Sequence, residues 1–225
     1  MNDIIDQIEQ LGIVYYQQNF HYSITNWLPF YWRKFEQTTR YTYVIEDISD
    51  LDMVYNNFSK SARNHIKKQK GNFTVVRSDN IEQFYSINKM TFDRQKVEIP
   101  YSSKFLINLD NACKKEKCRE ILFAFDKENN INTSIYVVWD FNSAYLLMSG
   151  SNPKYRNNNA KLLLVLDSIN HVSNFTKKFD FEGSMIEKIA NYNNNFGAVQ
   201  KPYFTISKVF KYKIPINIYK SLRKQ

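Results

Sequence analysis

Apolar residues recur with two different periods along the chain, and the switches between them mark its elements. Between Asp50 and Lys70, Val54, Phe58, Ala62 and Ile66 fall every fourth position. That spacing puts one apolar stripe on a helix and leaves Lys60, Arg63, Lys67 and Lys68 off it. Ile81, Phe84, Ile87 and Thr91 repeat the helical spacing after an Asp-Asn start and lead toward Arg94, and a second helix follows Pro100 from the serines that open SSKFLINLDNACKKEKC. Period-two runs of β-formers read as strands in YTYVIED (Tyr41 to Asp47) and FTVVRSD (Phe73 to Asp79). The same holds for three successive runs, REILFAFD, NTSIYVVWD and SAYLLMSG, and the short polar turns DKENN and FN between them predict an antiparallel meander.

A helix from about Asn159 to Phe175, the strand KKFDFEG, a helix from Met185 to Asn195 and a strand around Tyr203 to Val209 complete the core pattern. The first 40 residues are less regular. IIDQIEQLGIVYY reads as a short helix running into a strand, and NFHYSITNWLPFYWRKF is aromatic without a clean period, with Pro29 expected to break any helix there. Trp27, Phe30, Tyr31, Trp32 and Phe35 are too apolar for a solvated tail, so this segment is expected to be a packed arm. Strand, two helices, three antiparallel strands, helix, strand, helix, strand is an α+β order built round one mixed, mostly antiparallel sheet.

Composition narrows the class. The chain has 225 residues, 43% of them hydrophobic and 16% aromatic, enough for a real core and inconsistent with disorder. Lys and Arg number 31 against 22 Asp and Glu, a formal charge of +9. That balance favours an anionic partner such as a nucleotide, coenzyme A, tRNA or an acidic membrane surface, and it equally serves solubility. Cys113 and Cys118 lack His or Cys partners at metal spacing, so no metal site and no disulfide framework is expected. No apolar run approaches the roughly 18 residues of a membrane span, and the N-terminus lacks the basic start and apolar core of a signal peptide. A cytoplasmic location with reduced thiols is the expectation.

The stretch from Ser143 to Gly197 has the order of a site. A strand stopping at Gly150 feeds a helix through SNPKYRNNNA, leaving free N–H groups at a helix N-terminus suited to an anion. The next strand is expected to bring Asp180 and Glu182 to the same end of the sheet, on one face by parity. No Ser-His-Asp order, H-E-x-x-H, Walker loop or dinucleotide glycine fingerprint is present, which argues against hydrolase and NTPase chemistry.

FDFEGSMIEKIANYNNNFGAVQKPYFTISK, residues 179 to 208, resembles the BioF2-like and FemAB/FemX branch of the GNAT acyltransferases. There a strand with a DF-x-G-S motif precedes a helix, an F-G pair and a P-Y strand; here these are Asp180, Phe181, Gly183, Ser184, Phe196, Gly197, Pro202 and Tyr203. FDRQKVEIPYS, LPFYW and TYVIED extend the likeness over about residues 27 to 209. The chain departs from the usual Q/R-x-x-G-x-G/A pyrophosphate loop, having no glycine between Gly150 and Gly183. The resemblance implies a GNAT-like domain over residues 71–225 and, over residues 1–70, an N-terminal arm and FemAB-like fragment packed on that core.

The implied activity is N-acyl transfer from acyl-CoA to an amine of a sugar, sugar nucleotide or related metabolite by direct attack. Aminoacyl-tRNA-dependent transfer to a cell-wall precursor is the alternative within the class, and a non-catalytic binding protein with a basic helix the alternative outside it. The state of assembly is left open, a homodimer included. Such transfer needs a proton acceptor, a proton donor and oxyanion stabilisation. Glu182 and Asp180 are the candidate bases and Tyr192 the candidate acid, against turn-holding and aromatic packing as their plainer roles. Gly150, Tyr155, Arg156, Asn157, Asn158, Asn159 and Ala160 are the candidates for the donor. Arg94, Gln95, Lys67 and Lys68 are the candidates for an anionic substrate, with helix-end charges as the alternative.

Overall fold

The computed structural model describes residues 1–155, 159–183 and 185–210. The chain forms two compact units. The larger runs from Tyr43 to Glu182 and takes in Ile186–Val199; the smaller is built from Met1–Thr42, Gly183 and the C-terminal strand from Gln200. The boundary expected at residue 70 therefore falls inside the larger unit.

In the smaller unit, helix α1 (Asn2–Gln10) and strand β1 (Tyr15–Asn19) are the helix and strand read from IIDQIEQLGIVYY. The aromatic segment contains a helix that the sequence did not predict, α2 (Leu28–Trp32), with Pro29 in its first turn. Pro lacks an N–H that a first turn leaves unbonded anyway and has its φ already set, so Pro29 starts this helix and does not break it. Strand β2 (Glu36–Ile45) begins in this unit, and the last strand, β8 (Val199–Val209), pairs antiparallel with β1, Tyr15 opposite Val209. The strand order is β1-β8-β2. Ile5, Ile8, Phe20, Phe30, Phe35 and Ile206 form a separate small core, and Arg33 spans Asp6 and Glu9 at 2.7 and 3.0 Å.

In the larger unit the stripe of Val54, Phe58, Ala62 and Ile66 is buried as its spacing predicts, but it lies on two helices, α3 (Leu51–Asn57) and α4 (Lys60–Gln69). Phe58 is extended, and Ser59 caps α4 by accepting the Ala62 N–H at 3.1 Å. The Ser59 hydroxyl also donates to Asn195 Oδ1 at 2.9 Å. Arg63, expected off the stripe, donates to the carbonyl oxygens of Asn56 and Phe58 and so closes the end of α3. The break keeps the apolar face because one extended residue redirects the axis while both helices still cover the same sheet.

Strand β3 (Thr74–Arg77), α5 (Ile81–Gln95) capped by Asn80, and α6 (Ser103–Lys115) capped by Ser102 follow as expected. Next come β4 (Arg119–Phe125), β5 (Ile131–Trp139) and β6 (Ser143–Ser151), which form the predicted antiparallel meander. Helix α7 (Ala160–Val172), β7 (Lys178–Asp180), α8 (Glu187–Asn193) and a 3-10 turn at Asn194–Phe196 close the unit. Its strand order is β2-β7-β6-β5-β4-β3, antiparallel except for the β6–β7 pair. Alternation along β4 builds a core on each face. Leu122 and Ala124 pack with α3, α4 and α7 residues such as Val54, Ile66, Leu164 and Val165. Ile121 and Phe123 pack with Phe84 of α5 and Leu106 of α6. Among the described residues no helix is long and apolar enough to cross a membrane.

Gly150, expected to let a donor approach the strand, has a packing role. A Cβ there would lie 2.6 Å from the backbone N and Cα of Asn88, so its missing side chain is what admits α5 against β6. Gly150→Ala should therefore destabilise the fold by about 1–3 kcal/mol, the usual cost of overpacking. Urea denaturation measures this, and an unchanged midpoint would mean that α5 can move off β6 freely.

Candidate active site

Three contacts fix α5 beside the end of β6. Asn88 Nδ2 donates to the Ser149 carbonyl at 2.9 Å, the Ser151 N–H donates to Thr91 Oγ1 at 3.0 Å, and Tyr101 O–H holds Asn88 Oδ1 at 2.6 Å. From β5, Thr133 Oγ1 donates to the Gly150 carbonyl at 2.7 Å. Beyond Ser151 the chain turns at Asn152, whose carbonyl accepts the Tyr155 N–H at 3.0 Å. It enters α7 at Asn159, which sits in the left-handed region at φ 59° without a side-chain cap. Asn tolerates that conformation better than other residues with side chains, which explains a turn made without glycine. Asn159 Nδ2 lies 3.2 Å from His65 Nδ1.

These elements and α8 enclose a cavity of about 710 Å³. Thr91, Arg94 and Gln95 line it from α5, and Thr133, Ser149 and Ser151 from the sheet. Asn159, Ala160 and Lys161 contribute from the start of α7, and Ile186, Lys188, Ile189 and Tyr192 from α8 and its approach. The lining holds three cationic side chains and no Asp or Glu.

Lys161 dominates the electrostatics. Its Nζ lies 4.3 Å from the centre of the Tyr192 ring and 3.5 Å from Ser149 Oγ. Among the described residues no carboxylate pairs with it, and burial lowers its pKa to about 8. The residue is half-buried, open to the cavity. The Tyr192 hydroxyl is buried without a hydrogen-bond partner, and burial raises its pKa far above the ordinary tyrosine range, so it remains a protonated donor. A cation without a counter-ion beside an unused O–H donor is arranged to receive negative charge.

The structure thus gathers five of the sequence candidates, Arg94, Gln95, Asn159, Ala160 and Tyr192, round one cavity. Tyr155 stands in the preceding turn with Lys154 Nζ 5.1 Å from its ring, and does not line the cavity. Arg156, Asn157, Asn158 and Ser184 lie outside the described residues. Lys67 lines a different cavity and Lys68 lines neither.

Asp180 and Glu182 stand elsewhere. Strand β7 ends at Asp180, opposite Tyr145, and, with Leu147 bulged out of the β5–β6 ladder, four steps of about 3.3 Å put that point roughly 13 Å short of Gly150 along β6. Asp180 is therefore not at the level where β6 ends. Nor does strand parity reach Glu182: buried Asp180 accepts the Glu182 N–H on Oδ1 at 2.8 Å, and Glu182 turns into the left-handed region at φ 54°. Burial, and then the Asp180 charge, raise the Glu182 pKa above the usual carboxylate value. Neither acid lines the cavity.

Lys161 and Lys188 escaped the sequence reading, as did the hydroxyl groups of Thr133, Ser149 and Ser151. Only Lys161 carried a usable signal, as a lone cation at the head of the apolar run AKLLLVL in a helix destined for burial. The others are ordinary strand or surface residues until the sheet and α8 are assembled.

No family model matches the sequence, and no curated protein does. Among solved structures the chain is similar to FemX, at 11% identity and a TM-score of 0.69 over 90% of this chain and 75% of that one. It is likewise similar to L-PGS from Bacillus licheniformis, at 8% identity and a TM-score of 0.63 over 98% of this chain and 76% of that one. The fold is the GNAT-like mixed sheet flanked by helices that the sequence resemblance implies.

The depressed Lys161 pKa has a stability consequence. Between about 8 in the folded state and 10.5 in the unfolded state, the unfolded chain binds more protons, so this group's burial penalty is full below pH 8 and is relieved as pH rises. Lys161→Met should be more stable than the parent by roughly 1–3 kcal/mol near pH 7, with the gain shrinking toward pH 10. Paired urea titrations at the two pH values test it; an equal gain at both would show that Lys161 is not desolvated.

Proposed function

We propose that this protein is an N-acyltransferase that moves an acyl group from acyl-CoA to an amine. The observation that carries the reading is the acid-free cavity at the head of α7, with the Lys161 ammonium over Tyr192. Arg94, Lys188 and the α7 entry supply positive charge for donor phosphates. The hydroxyl and amide groups of Thr133, Ser149, Ser151 and Gln95 suit a hydroxyl-rich acceptor such as an amino sugar or sugar nucleotide.

In this mechanism the neutral amine attacks the thioester carbonyl. The C–N bond forms, the C–S bond breaks, and Lys161 faces the developing oxyanion. Tyr192 gives its proton to the departing thiolate, and the proton that the amine releases passes to water in the cavity, since Glu182 does not line it. An aminoacyl-tRNA donor is the second reading. It is favoured by the sequence between Gly150 and Gly183, which has none of the glycines of the usual pyrophosphate loop.

Two measurements separate these readings. Acyl-CoA near 100 times its dissociation constant should raise stability by about 2.7 kcal/mol in a melt; a shift with aminoacyl-tRNA alone selects the second donor, and no shift with either rejects acyl transfer. In single-turnover assays Tyr192→Phe should slow the chemical step by roughly 10²-fold or more with donor affinity nearly unchanged, while Glu182→Gln should leave the step within a fewfold of the parent. A Glu182→Gln enzyme slowed by roughly 10²-fold or more would instead make Glu182 the base and move the chemistry away from Lys161.

A further inference from the structure

Lys67, singled out in the sequence and unused by the cavity above, lines a second cavity of about 780 Å³ in the larger unit. The two cavities share no residue. Helix α7 serves both, its first turn facing the polar one and Leu163, Leu166 and Asp167 the other.

The wall of this crevice is apolar. Leu51 and Tyr55 of α3, Phe73 and Val75 at β3, and Leu163 and Leu166 of α7 pack against the main core on one side and are half-buried, left open on the other. Lys67 and Lys70, at the end of α4, stand exposed on its lining. Of the two lining acids, Asp167 is neutralised by Arg77 at 2.6 Å, which leaves Asp52 against two lysines. The volume is that of a small-ligand site, within the common range of roughly 300–1,000 Å³.

We propose that this crevice binds a long-chain fatty carboxylate, its chain along the apolar wall and its headgroup on Lys67 and Lys70. The chain covers the six half-buried side chains that the fold leaves open to water, and the lysines supply charge of the complementary sign. The proposal stands apart from acyl transfer, since it concerns a different cavity.

Calorimetric titration of the full chain with dodecanoate tests it, with dodecyltrimethylammonium as the same chain of opposite charge and butyrate as the same headgroup without the chain. Dodecanoate should bind, and the other two should bind at least tenfold more weakly. The double reversal Lys67→Glu, Lys70→Glu sits on exposed side chains and should weaken dodecanoate by roughly tenfold, while Asp52→Asn should strengthen it by a fewfold. Lys161→Met should leave it unchanged. The proposal is overturned by no dodecanoate binding up to about 1 mM, by equal binding of the cationic amphiphile, or by parental affinity in the double reversal. It is also overturned by loss of binding in Lys161→Met, which would move the ligand to the polar cavity, or by capture of an acidic amphipathic peptide in place of the carboxylate.

Discussion

Helix α5 lies in backbone contact with β6 because residue 150 has no side chain. That contact decides most of what the larger unit does. It brings Thr91, Arg94 and Gln95 beside Ser149 and Ser151, and it fixes where β6 can turn out of the sheet into α7. A side chain at position 150 would lift the helix and separate the cations of α5 from the head of α7. The constraint is one of volume, and close-packed interiors have little room to absorb it.

Charge is then concentrated by omission. Many of the basic residues are exposed or already engaged, as Arg33 is with Asp6 and Glu9, and Arg119 with Asp79 and Asp110. The polar cavity differs because its cations have no acid opposite them. Lys161 is held there at a cost in desolvation, offset only in part by the Tyr192 ring and a long contact to Ser149. A protein retains such an arrangement when the missing negative charge arrives with a ligand or develops during a reaction. Helix α7 thus presents a polar first turn to one cavity and an apolar flank to a second, so a single helix divides two unlike cavities by its own amphipathicity.

Much of the fold was legible in the sequence because it depends on local period. The stripe from Val54 to Ile66 is buried residue for residue, the three β-runs after Cys118 form the predicted meander, and the Asn80 and Ser102 caps start the helices they announce. Local rules failed where a neighbour competed for the backbone. Ser59 and Arg63 satisfy the groups freed when one helix becomes two, Pro29 opens a helix, and the Asp180 side chain captures the Glu182 N–H and ends the strand before parity can place that carboxylate.

By itself, then, the sequence determined the α+β order and the apolar faces, since each follows from short-range patterning of side chains along the chain, while the GNAT-like topology was implied by its resemblance to a known family. The tertiary structure alone decided that Gly150 admits a helix, that Glu182 stands away from the head of α7, and that Lys161 meets Tyr192 in a cavity without acids. Those facts depend on desolvation and on contacts between residues far apart in sequence. Neither is a property of any one stretch of chain, because both are set by what the fold places around a residue.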